Sequence, residues 1–203
     1  FRLSTLPYLP QLSDDFYRFV WDGMLSSNGE NPFLHLPKDI IQDSHFQAFF
    51  PLGLFEKLNS PNYYTVYPPV CQAIFAFSAS LFNNLFAQVV AMKACILLAE
   101  IGSLFLLYKL LKKANLPIYL LALYAFNPLA IVELTGNLHF EAFMIVGILG
   151  ATYFLSQKLG FSAFFFSIAI CAKLLPLMFL PFLYRKLGFK SFLIYISCLA
   201  FFS

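Results

Sequence analysis

The sequence predicts an all-α fold, a polytopic bundle of transmembrane helices with a large external loop that carries short interfacial helices. Hydrophobic residues make up 60% of the 203-residue chain and charged residues only 11%, whereas soluble domains carry roughly 25% charged residues. The apolar residues stand in runs, and several runs reach the ~20 residues that a helix needs to cross hydrocarbon. Seven of the ten acidic residues lie before residue 65, in a polar segment near the start of the chain.

The polar segment, residues 9–64, is predicted to be the external loop. A short helix is expected over residues 14–25, because Ser13 is a suitable N-cap and acids in the first turn favour the helix dipole. A second short helix is expected over residues 38–50, with its apolar side chains along the membrane surface. Trp21 suits an aromatic belt at the membrane interface.

The membrane helices are expected within residues 66–203, where apolar runs cover 66–82, 89–111, 116–134, 140–155, 161–184 and the stretch from 192. We expect residues 1–203 to form a single transmembrane domain. The chain starts at Phe1 instead of methionine and stops at Ser203 inside an apolar run, so we expect a fragment, the N-terminal part of a longer protein.

Basic residues predict how these runs cross the membrane, because they favour the cytoplasmic side. The run 89–111 ends in a lysine cluster, Lys109, Lys112 and Lys113. The run 66–82 begins with two prolines and is the weaker candidate for a span. If it is re-entrant or interfacial, the lysines lie inside and the loop 9–64 lies outside.

The same reasoning applies to the run 161–184, which is followed by further basic residues. Two short helices that meet near Lys173 and Pro176 would keep those residues inside. Lys173 and the segment 136–141 would then lie toward the outer side, where the polar loop is also expected.

Charge and cysteine placement limit the function classes. The basic residues form no stripe with interleaved aromatic residues, so a net charge of +3 does not indicate a nucleic-acid partner. The cysteines lie in apolar segments without CxxC spacing, which predicts small buried hydrophobic residues instead of a metal or disulfide site. No glycine-rich phosphate loop is present that would hold a nucleotide.

Adjacent carboxylates at Asp14 and Asp15 are the first candidates for chemistry. Such a pair close to a membrane could supply a general base or bind a divalent cation. A solvated helix N-terminus explains the same pair. Arg18 stands one helical turn further and could orient either carboxylate, contact a donor phosphate, or form a simple ion pair with Asp22.

Several short motifs stand in a characteristic order along the chain. They are Asp14–Gly23, Asn31-Pro32-Phe33, Tyr67-Pro68-Pro69, Asn127-Pro128, Gly136–Glu141 and Lys173–Pro176. In this order the chain resembles bacterial membrane glycosyltransferases of the GT-C type, the branch that uses polyprenyl-phosphate mannose or a related hexose. Leu138 departs from the pattern, since many relatives have glycine there.

The resemblance implies a GT-C-like bundle in a multi-pass cell-membrane protein, with the bacterial inner membrane expected and the active site on the extracytoplasmic face. It implies inverting transfer of a hexose, with mannose favoured, from a polyprenyl-phosphate donor to a glycolipid, glycan or protein acceptor. Asp15 would be the general base, with Asp14 as the alternative. The paired acids permit a divalent cation without requiring one, and no other cofactor is indicated.

Polar residues at the predicted membrane boundary are candidates for substrate contact, because polar groups at that depth are costly and often functional. His139 and Glu141 fit this role, while Asn137 is explained as well by a helix cap. Lys173 could bind the donor phosphate or extend its ammonium group to the membrane surface.

Two other functions are compatible with a polytopic bundle. A transporter or lipid flippase would also have broken helices and intramembrane charges, but it would not need a long acidic loop. A non-catalytic subunit of a membrane complex should tolerate the loss of Asp14 and Asp15.

Overall fold

The computed structural model describes residues 1–51 and 53–202, and the regular elements of these residues are all helical, which confirms the all-α prediction. The α-helices are α1 (Asp15–Ser27), α2 (Pro37–Ile40), α3 (Ser44–Gln47), α4 (Pro69–Leu81), α5 (Leu85–Lys113), α6 (Leu121–Ala125), α7 (Pro128–Ala130), α8 (Glu141–Phe154), α9 (Leu159–Ala172) and α10 (Leu180–Phe202). Short 3-10 helices cover Leu3–Thr5, Phe55–Lys57, Ile118–Leu120 and Leu175–Phe179, and a π-helix covers Ile131–Gly136.

Helix α1 lies inside the protein, packed along α4. Gly23 permits this close approach, because a Cβ atom at that position would lie 2.5 Å from the backbone oxygen of Phe75. Trp21 is fully buried and stacks on Phe50, with 3.6 Å between the ring centroids. The prediction that Trp21 lies in an interfacial belt is therefore wrong, because its ring is buried in the hydrophobic core that packs around α1.

The predicted helix over residues 38–50 is also wrong in its extent. Two one-turn helices, α2 and α3, replace it. Asp43 has an extended backbone, and its side chain accepts a hydrogen bond from the His45 backbone N–H at 2.9 Å. This local cap starts a new turn, which is why one continuous helix does not form.

Among the described residues, α5 is the one unbroken helix that is long and apolar enough to cross a membrane. Its 29 residues give a length of about 43 Å, against ~30 Å of hydrocarbon. A second candidate is the pair Ile118–Ala125 and Pro128–Gly136, bent by 49°. The remaining apolar helices α4, α8 and α9 have 13 or 14 residues each.

Helix α5 buries charged side chains and exposes large apolar ones, which is the opposite of a helix on the surface of a soluble protein. Lys93 and Glu100 are buried, and the Lys93 ammonium donates to the backbone oxygens of Thr5 and Tyr8. Leu98 and Phe105 lie on the other side, exposed by 67% and 58%. A helix with charges inside and large apolar side chains outside suits a lipid environment.

Two predicted runs are broken where polar or proline residues interrupt them. The run 116–134 bends at Asn127, whose side chain accepts from the backbone N–H groups of Leu129 and Ala130 and so begins α7. The run 161–184 breaks at Lys173, whose backbone is extended, with φ −156° and ψ 132°. This second break confirms that the run is not one helix.

Helices α8 and α9 form a closely packed pair. Gly147 makes the contact tight, since a Cβ atom there would lie 2.7 Å from the backbone oxygen of Phe165. The start of α8 and the end of α9 are consequently adjacent. This pairing brings the segment before α8 and the break after α9 to one place, beside the first turn of α1.

Candidate functional site

A cavity of about 480 Å³ lies where the start of α1, the start of α4, the start of α8 and the end of α9 meet. Four of the predicted site residues line it, namely Asp15, His139, Glu141 and Lys173. The rest of its wall is largely apolar and aromatic. The structure thus brings Asp15, in α1, to the same cavity as Lys173, in the break after α9.

Asp15 is the first residue of α1, and two side chains hold its position. The Ser13 hydroxyl accepts a hydrogen bond from the Asp15 backbone N–H at 3.2 Å. The Asn59 side-chain amide donates to the Asp15 carboxylate, with 2.6 Å between Nδ2 and Oδ1. Asp14 is exposed and does not line the cavity, so the two predicted acids occupy different environments.

Lys173 and Glu141, which also line the cavity, form an ion pair. Lys173 stands in the extended break after α9, and Glu141 is the first residue of α8. About half of the Lys173 side chain and a third of the Glu141 side chain remain exposed. The ammonium group is therefore held in place by a carboxylate and is still accessible from the cavity.

His139 enters the cavity from a tight turn that precedes α8. Leu138 has a positive φ of 64° and is completely buried. Many relatives are expected to have glycine here, and the left-handed backbone gives the physical reason for that preference. The His139 ring lies with Nδ1 3.2 Å from the Glu133 carboxylate.

Asn137 and Arg18 lie outside this cavity. Asn137 is buried, and its Nδ2 lies 3.5 Å from the Glu133 carboxylate. Arg18 is also buried and pairs with Asp22, with 2.8 Å between Nε and Oδ1. Its Nη1 donates to the backbone oxygen of Tyr63 at 2.9 Å, which ties α1 to the segment before α4.

The buried Arg18–Asp22 pair is the centre of a polar network beside the site. Thr65 and Gln72 both donate hydrogen bonds to Asp22 Oδ2. Burial raises the pKa of the Asp22 carboxyl, while the Arg18 charge and these hydrogen bonds act in the opposite direction. The network holds residues 60–65 against α1, so it supports the cavity wall without lining it.

Two residues at the site were not predicted from the sequence. Asn59 is 44 positions from Asp15, and nothing in its local sequence indicates that contact. Tyr67 lines the cavity. A tyrosine hydroxyl is protonated at neutral pH, since its ordinary pKa is about 10, and it can donate a hydrogen bond. The Tyr67-Pro68-Pro69 motif is the signal that could have found it.

Metal ions in proteins are commonly held by several His, Cys, Asp or Glu side chains together. Among the residues that the structure describes, no group of three or more such side chains is arranged to hold a metal ion. Of the adjacent pair Asp14 and Asp15, only Asp15 lines the cavity.

Comparison with known proteins gives the family. Among curated proteins and among solved structures, no significant match was found. A family described as "Alpha-(1->6)-mannopyranosyltransferase, N-terminal domain" matches residues 4–187. The match includes the cavity residues and confirms the resemblance to mannose-transferring enzymes. Because it covers most of the chain, the protein belongs to the alpha-(1->6)-mannopyranosyltransferase family, in the part that corresponds to the N-terminal domain.

Proposed function

We propose that the protein transfers a mannose residue from a polyprenyl-phosphate donor to a hydroxyl group of a glycolipid, glycan or protein acceptor, with inversion at the anomeric carbon. The observation that carries this proposal is the shared cavity, in which the Asp15 carboxylate and the Lys173 ammonium line the same space. One group is suited to remove a proton and the other to stabilise a phosphate anion.

The cavity suits an amphiphilic donor. Leu174 and Leu175 line it beside Lys173 and are themselves largely exposed. A polyprenyl chain would lie against such apolar side chains, while its phosphate would approach the ammonium group. Since Glu141 already pairs with Lys173, the donor phosphate would share that cation or displace the carboxylate.

The proposed step needs one base and one leaving group. Asp15 accepts the proton of the acceptor hydroxyl while the oxygen of that hydroxyl forms a bond to the anomeric carbon. The bond between that carbon and the phosphate oxygen breaks, and its electron pair leaves with polyprenyl phosphate, a stable anion. A single displacement inverts the configuration, so an α product requires a β-linked donor. Tyr67 is placed to donate a hydrogen bond to a sugar or phosphate oxygen.

A multi-pass arrangement in the cell membrane is part of the proposal. We infer that residues 1–203 belong to one transmembrane domain, with residues 9–64 as the external loop and residues 66–203 as membrane helices. Helix α5 would span, and α4, at 13 residues, would be re-entrant. The lysine cluster at the end of α5 would then lie inside and the cavity outside, on the extracytoplasmic face.

The donor class is tested by supplying radiolabelled mannose in two forms to membranes that contain the full-length protein. Polyprenyl-phosphate mannose should support transfer, and a nucleoside-diphosphate mannose should not when synthesis of the lipid-linked donor is blocked. NMR of the product should show an α-linkage formed from a β-linked donor. Transfer from the nucleotide donor alone, or retention of configuration, would contradict the proposal. Movement of intact lipid-linked sugar without transfer would favour the transporter function.

A further inference from the structure

Glu133 and His139 form a polar pair of which only one member lines the cavity. The Nδ1 atom of His139 lies 3.2 Å from a carboxylate oxygen of Glu133. His139 belongs to the cavity wall, and Glu133 does not. The imidazole ring is therefore the route by which the Glu133 carboxylate can act on a ligand in the cavity.

Two departures from regular helix geometry bring these side chains together. On an α-helix, residues three or four positions apart are neighbours, and residues six positions apart are not. Glu133 lies in the π-helix Ile131–Gly136, and the wide turn continues beyond it, because the His139 backbone N–H donates to the Leu134 oxygen, five residues earlier, at 3.0 Å. Leu138 then adopts its left-handed backbone, with φ 64°. Both π-helical turns and left-handed non-glycine residues are frequent at functional sites.

The π-helix and the Glu133 carboxylate are both fixed by further contacts. The buried Thr135 hydroxyl donates to the carboxylate of Glu100, a buried residue of α5, and so anchors the π-helix in the protein interior. Asn137 contacts the Glu133 oxygen that His139 does not, with 3.5 Å between its Nδ2 and Oε1. The carboxylate is thus held between Asn137 and His139, with one partner for each oxygen.

The contact at Nδ1 determines which form of the His139 ring faces a ligand. An ionised carboxylate can only accept hydrogen bonds, so its contact with Nδ1 favours a proton on that nitrogen. The neutral ring then has its lone pair on Nε2, the nitrogen that remains for a ligand in the cavity. A lone pair accepts a hydrogen bond from a hydroxyl group, and hydroxyls are the main polar groups of a sugar. In the opposite tautomer, Nε2 would be a donor.

The pair contributes little to the stability of the fold. About a third of each side chain is exposed, and solvent weakens ion pairs at such positions. A comparable pair, Glu30 and His35, also has 3.2 Å between carboxylate and ring nitrogen and lies outside the cavity. The chain therefore contains a matched pair that differs from Glu133 and His139 in its distance from the site.

We propose that Glu133 is a positioning residue for mannose transfer. It orients the His139 imidazole and holds a proton on Nδ1, so that Nε2 accepts a hydrogen bond from a hydroxyl group of the bound sugar. The inference rests on the proposed function for the presence of a sugar in the cavity, and it does not rest on that function for the orientation of the ring.

Kinetics of mannose transfer by the full-length protein test whether Glu133 acts through His139. Glu133→Leu should lower kcat/KM about tenfold, because the ring loses its fixed orientation. Glu133→Gln should stay within about threefold of the wild type, since its amide oxygen can still accept from Nδ1–H. In a His139→Ala background, Glu133→Leu should cause less than about a twofold further loss, because the two residues act as a unit. Glu30→Leu is the matched control and should stay within about twofold of the wild type.

NMR of the full-length protein, isotope-labelled at the histidine nitrogens, tests the orientation without any transfer. The His139 signal, assigned by its loss in His139→Ala, should show a proton on Nδ1 in the wild type and on Nε2 in Glu133→Leu. A proton on Nε2 in the wild type would overturn the positioning role, as would an equal loss of kcat/KM from Glu133→Leu with and without His139. A wild type that has the Nδ1 proton but transfers no mannose from polyprenyl-phosphate mannose would leave the ring orientation in place and overturn the donor assignment.

Discussion

The Asn59 side-chain amide donates a hydrogen bond to the Asp15 carboxylate, with 2.6 Å between Nδ2 and Oδ1. The contact joins the first turn of α1 to the segment that returns toward α4. In the proposed mechanism Asn59 is a positioning residue, because its hydrogen bond holds one oxygen of the Asp15 carboxylate and leaves the other for the substrate. Catalysis depends steeply on such orientation, since a small misplacement of a reacting group lowers its rate.

Asn59→Ala should lower kcat for mannose transfer about tenfold and leave the KM for the donor within twofold, because the carboxylate loses its fixed orientation while the donor contacts remain. Steady-state kinetics with varied polyprenyl-phosphate mannose measure both constants. Asn62→Ala is the matched control, as Asn62 is exposed in the same segment. An unchanged kcat in Asn59→Ala would show that the hydrogen bond has no catalytic role.

Lys173→Met should raise the KM for the polyprenyl-phosphate donor about tenfold, which corresponds to ~1.4 kcal/mol. The substitution keeps an unbranched side chain of nearly the same length and removes the cation that lines the cavity. Titration of the donor at fixed acceptor gives the constant, with Lys112→Met as the control, since Lys112 is exposed and outside the cavity. Equal KM values for the two variants would remove Lys173 from donor binding.

Gly23→Ala should destabilise the protein by about 1–3 kcal/mol, because the new methyl group forces α1 away from α4. The added Cβ would lie 2.5 Å from the Phe75 backbone oxygen, whereas a Cβ at Gly160 meets nothing within 4 Å. Gly160→Ala in helix α9 should therefore be neutral or stabilising by up to about 1 kcal/mol. Thermal unfolding of both variants in the same detergent compares them. Equal unfolding temperatures would contradict the close packing of α1 on α4.

Leu138→Gly should be more stable than Leu138→Ala by about 1 kcal/mol, although both lose the buried leucine side chain. Leu138 has φ 64°, a left-handed backbone that costs a non-glycine residue roughly 1–2 kcal/mol. Thermal unfolding of the two variants isolates the backbone contribution, because their packing losses are similar. Greater stability of the alanine variant would show that the turn before His139 is unstrained.

The sequence predicts the helical class and the break of the run 161–184 near Lys173, because both follow from local chemistry. It does not predict the bend of the run 116–134 at Asn127. Lys173 interrupts an apolar run and lies within three residues of Pro176, and the structure has an extended backbone there. The extent of α1 also follows from local signals, with acids at its start and the turn-forming residues Asn28 and Gly29 after it. Its burial does not, since Trp21 is covered by Phe50 from a distant part of the loop.

The assembly of the candidate site was only partly predictable. Asp15, His139, Glu141 and Lys173 were proposed from motifs, yet no local pattern shows that the α8–α9 pairing places them around one space. The same limit applies to Asn59, which depends on the path of a long loop. The family resemblance places Asp15 before Asp14 as the expected base, and the structure adds a physical difference between the two acids, because Asp15 lines the cavity and Asp14 does not.

The most direct test of the central claim compares Asp15→Asn with Asp14→Asn, at matched expression, for transfer of radiolabelled mannose from polyprenyl-phosphate mannose. The two substitutions make the same chemical change at neighbouring positions, but only Asp15 lines the cavity. Loss of the general base should lower transfer by Asp15→Asn at least 100-fold, while Asp14→Asn should keep transfer within about threefold of the wild type. Transfer retained by Asp15→Asn, or lost in Asp14→Asn alone, would contradict the assignment of Asp15 as the base.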